Sequence, residues 1–227
     1  MKTVPKSSKG FTLLELMIAM AITSIFLAGV YTTYITQLKT KVTQQYIVEM
    51  QQNLRNAMQT MGRDIRMAGY NVAGLSVAGI TQAIGNSFAF TMDLNEDGDL
   101  IVPGPSPQAS DANERVRYNL ALNADGIRCL MRKLGTGNPQ PVAEYIEALN
   151  FVYLDRFGGI TFDPLAISSV QVTIVARSSQ NIQGLFFGRN DNLTYRNQQG
   201  TVVLAARNDN FRRMILTSDF KCRNLPI

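Results

Sequence analysis

The sequence predicts an α+β fold: a long N-terminal helix, transmembrane in its first half and amphipathic in its second, packed on a C-terminal antiparallel β-sheet domain. Three observations carry this. Residues 11–35, "FTLLELMIAMAITSIFLAGVYTTYI", hold one charged side chain, Glu15, in twenty-five positions. Beyond them an apolar stripe continues at helical spacing, and no Pro interrupts residues 11–102. After Tyr70 the chain breaks into short runs that alternate apolar and polar residues, the pattern of strands.

The apolar segment is long enough to cross ~30 Å of hydrocarbon as a helix. It exceeds the apolar core of a secretory signal peptide, and no small-x-small site closes it. Lys2, Lys6 and Lys9 precede it, which predicts an N-terminus in the cytoplasm and the rest of the chain outside. From Leu38 through Val42, Tyr46, Met50, Leu54, Met58, Met61 and Ile65 to Ala68, apolar residues recur every three or four positions. One helix from Thr12 to Ala68 would be ~85 Å long at 1.5 Å per residue. Its expected parts are 1–10 as a leader, 11–35 as the membrane half and 36–69 as the amphipathic half, with a β-rich domain over 70–227.

Composition narrows the function. The 227 residues include no His and no Trp, which removes Ser-His and Cys-His triads and most zinc sites. An enzyme is not expected. The net charge of +5 belongs to the N-terminal third: residues 70–227 carry fourteen bases and fourteen acids. A nucleic-acid domain would concentrate its bases on its folded face, so no nucleic-acid partner is expected.

Residues 9–16, "KGFTLLEL", combine a short basic leader, a Gly, an aromatic residue and an acid four positions after it. This resembles the class III signal of type IV prepilins. "LRNAMQTMGRDIRMAGY" (Leu54–Tyr70), "EYIEALNFVYLD" (Glu144–Asp155) and "RRMILTSDFKCRN" (Arg212–Asn224) are similar to PilW-type minor pilins and, more loosely, to the J-type minor pseudopilins of type II secretion. The resemblance implies a pilin-like fold, cleavage by a prepilin peptidase between Gly10 and Phe11, and N-methylation of Phe11. It also implies a structural subunit that primes pilus assembly and joins the tip complex. Its partners would be other minor pilins, the major pilin, a large tip adhesin and the inner-membrane assembly platform. It would sit in the inner membrane first and in the pilus afterwards. The apolar half lacks the helix-breaking Pro usual in major pilins, which favours a minor subunit. A pseudopilin of a type II secretion filament, or a DNA-uptake or adhesive subunit, remains an alternative. Glu15 and the Phe11 amine, at i and i+4, should share a helix face. An unpaired acid in a filament core would be costly, and the resemblance implies its partner, the N-terminal amine of the adjacent subunit, which would make Glu15 a registration device.

The helix should stop at "MAGYNVAG". Strands are expected around Phe88–Met92, Arg115–Leu122, Ile127–Arg132, Leu149–Tyr153 and Val170–Ala176, with a hairpin turn at "NADG" and one wet face on the sheets. A short helical piece is expected over Val142–Ala148, and polar loops over 103–114 and 178–200. "DLNEDGDL" spaces Asp93, Asn95, Asp97 and Asp99 around Gly98 as a calcium loop does, without the closing Glu of an EF-hand. It is a candidate calcium site or an acidic turn. Cys129 and Cys222 form an even pair outside the cytoplasm, which favours a disulfide worth on the order of 4 kcal/mol across a loop of ~90 residues. The bases of Arg207–Arg223 should lie on the wet face of an edge strand.

Overall fold

The computed structural model describes residues 10–72, 78–96, 100, 114–181 and 190–225. The chain divides into two compact units, residues 1–44 and residues 45–227. One helix, α1 (Leu13–Met67, 55 residues), contributes to both.

In the first unit the helix side chains from Leu13 to Tyr34 are exposed. A window of α1 near the N-terminus is long and apolar enough to cross a membrane, with mean hydropathy 2.2. Its serine and threonine hydroxyls are satisfied by the helix itself. Thr23 donates to the Ala19 carbonyl at 2.7 Å, Ser24 to Met20 at 2.7 Å and Thr36 to Thr32 at 2.9 Å. Each leaves its helix surface without an unmet donor, which hydrocarbon demands.

In the second unit the helix buries Met50, Leu54, Ala57, Met58, Met61 and Ile65, and Ala68 is buried just past its end. The stripe is therefore core from Met50 onward, whereas Leu38 is exposed. Gly69 stops the helix: it takes φ +80°, a left-handed conformation that costs Gly nothing. Its N–H leaves the helix and donates to the Thr91 carbonyl at 3.0 Å.

Two antiparallel sheets close over this helix face. The first has the order β1-β2-β3-β4-β5, from β1 (Ile80–Ile84), β2 (Ser87–Thr91), β3 (Arg115–Leu122), β4 (Arg128–Leu134) and β5 (Gln140–Glu144). The second has β6 (Ile146–Leu154) and β10 (Arg213–Lys221) on either side of β7 (Ser169–Arg177). Phe88 joins the sheets, with its ring centroid 5.6 Å from Phe151 and 5.8 Å from Tyr153. The Tyr153 hydroxyl donates to the Ile84 carbonyl at 2.9 Å, tying β6 to the β1–β2 turn. Gly62 lets the second sheet approach the helix, because a Cβ there would lie 2.3 Å from the Phe220 ring.

The expected hairpin forms at Asn123–Gly126. The Asn123 carboxamide oxygen accepts the N–H groups of Asp125 and Ile127 at 3.0 and 2.9 Å, and Gly126 takes φ +73°. Three expectations are corrected. Residues 142–148 are not helical: they belong to β5 and β6, separated by Tyr145 at φ 57°. Pairing of Glu144 with Cys129 and of Ile146 with Ala176 outweighs the local helical spacing. Nor is the second sheet wet on one face. A small hairpin, β8 (Tyr195–Arg196) and β9 (Val202–Leu204), covers its outer side, burying Ala148, Val175, Tyr195 and Leu204 together. Gln171 and Thr173 of β7 are thereby buried too, the first hydrogen-bonded to Gln198 and Gln199, the second to Thr217.

Cys129 and Cys222 are not joined. Both are buried free thiols. Cys222 lies in the main core, its N–H bound to the Ser168 carbonyl, whereas on β4 it is Leu130 that enters that core. Alternation along the strand points Cys129 to the opposite face. Burial pushes the Cys222 thiol up to about 12 and the Cys129 thiol up as well, so both behave as small apolar core residues.

Candidate functional site: the helix start and two charged anchors

Gly10 and Phe11 precede the helix, Phe11 almost wholly exposed at 93%. Thr12 is the N-cap. Its hydroxyl accepts the Glu15 N–H at 3.2 Å, and Glu15 Oε2 accepts the Thr12 N–H at 2.8 Å and the Thr12 hydroxyl at 3.0 Å. This is a reciprocal capping box that satisfies two N–H groups the helix start would otherwise leave open. The expectation that Phe11 and Glu15 share a helix face is corrected: Phe11 lies outside the helix, and Glu15 first serves Thr12. Both contacts use Oε2; among the described residues Oε1 has no partner. The signal was legible as T-x-x-E ahead of an apolar run, and Thr12 was the residue overlooked.

Two charged anchors lie within the second unit. Asp64 lies inside the buried arc of α1, between Met61 and Ile65. Its Oδ2 accepts the Arg132 Nε–H and the Tyr118 hydroxyl, each at 2.6 Å. Tyr118 and Arg132 are directly opposed on β3 and β4, so one carboxylate clamps two strands to the helix. Burial and the Asp64 charge push the Tyr118 phenol well above its ordinary value. Burial works against the charged form of Arg132, but the hydrogen bond and charge of Asp64 raise it overall.

The second anchor gathers around Arg213, a side chain only 1% exposed. Its guanidinium meets Glu147 at 2.5 Å, Asp209 at 2.6 Å and Asp191 at 3.1 Å. Asp191 also accepts the Tyr195 hydroxyl at 2.9 Å. Arg177 lies 3.5 Å from Glu147 and stacks over the Phe211 ring at 4.3 Å. The group fastens residues 191 and 209 to the end of the second sheet. Burial disfavours the charge of Arg213, but bonds to Asp209, Glu147 and Asp191 raise its pKa overall; the Arg213 bond in turn holds the Asp209 carboxyl below its usual value. The expectation that bases of Arg207–Arg223 line a wet face therefore fails at Arg213. The strand is an edge strand as expected, with β10 at the margin of its sheet.

Of the candidate calcium residues, Asp97 and Asp99 lie outside the described residues. Asp93 is buried, and its Oδ1 accepts the Glu96 N–H at 2.7 Å, the hydrogen bond of an acidic turn. Among the described residues no group of three acidic or sulfur side chains is placed to hold a metal ion.

A prokaryotic N-terminal methylation motif matches residues 5–31. The prepilin peptidase-dependent protein B family matches residues 43–184, more than half of the chain. Among solved structures, a type IV-like pilin from Thermus thermophilus is similar at 14% identity, covering 77% of this chain and 96% of its own, with a TM-score of 0.46. No curated protein matches. With the methylation motif at its start and that family over most of the remainder, the chain belongs to the prepilin peptidase-dependent protein B family and is a type IV pilin-like protein.

Proposed function

We propose that the chain is a PilW-like minor pilin, a non-enzymatic subunit that helps prime a type IV pilus and takes its place in the tip complex. A prepilin peptidase cuts between Gly10 and Phe11, and Phe11 is N-methylated. Before assembly the chain is anchored in the inner membrane with its N-terminus cytoplasmic; afterwards the helix packs in the filament with other minor pilins, the major pilin and a large tip adhesin.

The observation that supports this best is the Thr12–Glu15 capping box at the head of an otherwise uncharged span. A carboxylate in hydrocarbon is costly. Bonding to Thr12 lowers that cost while the chain waits in the membrane, and Oε1 remains to accept the terminal amine of an adjoining subunit. Glu15 thus serves both as a cap and as the registration device.

Deletion of the chain is expected to reduce surface pili, counted by electron microscopy, and to leave exoprotein secretion unchanged. Glu15→Leu should still be cut at Gly10–Phe11 yet fail to restore pili in the deletion background. Loss of secretion with pili intact would favour a type II pseudopilin, and full restoration by Glu15→Leu would contradict the registration role.

A further inference from the structure

Three cations stand together on the outer face of the first sheet. On β3, Val116 and Tyr118 turn into the core, so alternation turns Arg115 and Arg117 outward, and both are exposed. On β4, Leu130 enters the core, which turns Lys133 to the same outer face, directly opposite Arg117. Residues two apart on a strand stand ~7 Å from each other, and directly opposed Cβ atoms ~5 Å. The three charges therefore crowd into one small triangle. Like charges directly opposed across a sheet destabilise it, and among the described residues none of these side chains has an ion pair to relieve that cost. The acid this face carries, Glu144, sits opposite Cys129 at the other end of β4, where it accepts the Asn123 carboxamide N–H at 3.3 Å.

The cluster is local, because residues 70–227 hold fourteen bases and fourteen acids. Other arginines of the domain are engaged, Arg132 with Asp64 and both Arg177 and Arg213 with Glu147. Its surroundings narrow the kind of anion that fits. Beside the cations β2 contributes only Ser87, Ala89 and Thr91, small side chains that leave the face flat. No aromatic ring stands at an outward position of β2, β3 or β4. A nucleic-acid strand would find no stacking platform there, and a protein partner would find no aromatic anchor. What the face offers is point-charge attraction over a plane, which a layer of anionic headgroups meets.

We infer that Arg115, Arg117 and Lys133 form a docking surface for an anionic phospholipid bilayer, against which the outer face of the first sheet lies flat. The guanidinium groups of Arg115 and Arg117 bond the headgroup phosphates, and Lys133 adds a third charge to the same contact.

Co-sedimentation of the full chain, held in a bilayer disc of neutral phosphatidylcholine, with heavy-loaded vesicles tests this. Vesicles of phosphatidylcholine with phosphatidylglycerol are expected to capture the chain at low salt and to release it at about 0.5 M chloride; vesicles of phosphatidylcholine alone should not capture it. Arg115→Gln, Arg117→Gln and Lys133→Gln together should lower the partition about 100-fold, roughly a factor of five for each charge lost. Arg55→Gln, Arg196→Gln and Arg207→Gln, which remove the same charge elsewhere, should leave it within about twofold. Lys133→Glu alone should lower it about 25-fold while raising the thermal midpoint, because it places opposite charges across β3 and β4. Equal capture by neutral vesicles, or equal loss in the two triple variants, would overturn the inference. So would stronger displacement by a DNA duplex or by polyglutamate than by phosphatidylglycerol vesicles of the same total charge, which would give the surface to a nucleic acid or to an acidic protein.

Discussion

Arg213→Met is expected to destabilise the second unit by about 4 kcal/mol, the range found when one partner of a buried ion group is removed. The guanidinium is the sole cation touching Asp191 and Asp209 among the described ion pairs, and it shares Glu147 with Arg177. Without it, three carboxylates face one another at the end of the second sheet, and the outer hairpin loses its attachment through Asp191 and Tyr195. Denaturant unfolding of the detergent-solubilised chain measures the loss. A change below about 1 kcal/mol, the range of an exposed ion pair, would show that the group is ornamental.

The pH dependence separates this cause from lost packing. In the intact protein Asp209 has a lowered pKa, so its contribution is present above its unfolded value and disappears only as pH falls through the lower folded value. The native protein therefore loses nothing from this group between pH 7.5 and 4.5. In Arg213→Met the crowded carboxylates prefer to be protonated, and their repulsion is relieved as pH falls. The gap between the two proteins should accordingly narrow at pH 4.5. A gap that stays constant would assign the effect to packing.

The second large effect is at Asp64. Asp64→Ala is expected to cost about 3 kcal/mol, because it strands the Arg132 guanidinium and the Tyr118 hydroxyl at a helix–sheet contact. Asp64→Asn, which can still accept one bond, should lose less. Arg132→Met in the Asp64→Ala background should recover part of the loss, since it removes the uncompensated charge. Additive losses in that cycle would mean the two side chains act independently.

The fold was legible where local pattern and tertiary pairing agree. The alternation of Val116, Tyr118 and Leu120, followed by "NADG", placed β3 at Arg115–Leu122 and its turn correctly. Residues 142–148 misled because their apolar spacing suits a helix, while the deciding influence, pairing with β4 and β7, comes from distant residues. The outer hairpin was hard to read for a similar reason: Tyr195 is an isolated apolar residue in a polar stretch, Leu204 lies in the short apolar run Val202–Ala206, and only the chain's return across β7 makes them a core. The two thiols suggested a bond by their number, but strand alternation sends them to different faces.

At the candidate site the motif around Gly10, Phe11 and Glu15 was legible, and the role of Thr12 was not drawn from it. The buried anchors gave fainter signals. Asp64 could have been noticed as an acid inside the buried arc of the stripe, which demands a cation from elsewhere. Arg213 and Arg212 are adjacent residues of one type; the difference arises when Glu147, Asp191 and Asp209 converge on one of them.

The central claim is that this chain is matured as a pilin, with its helix start exposed at a defined bond. Intact-mass and N-terminal peptide analysis of the protein purified from its host membranes tests it directly. The chain is expected to begin at Phe11 carrying one added methyl group, and to retain the full leader when the prepilin peptidase is deleted. A mature chain that still begins at Met1 in the presence of the peptidase, or that begins after a cut elsewhere in the apolar span, would contradict the account.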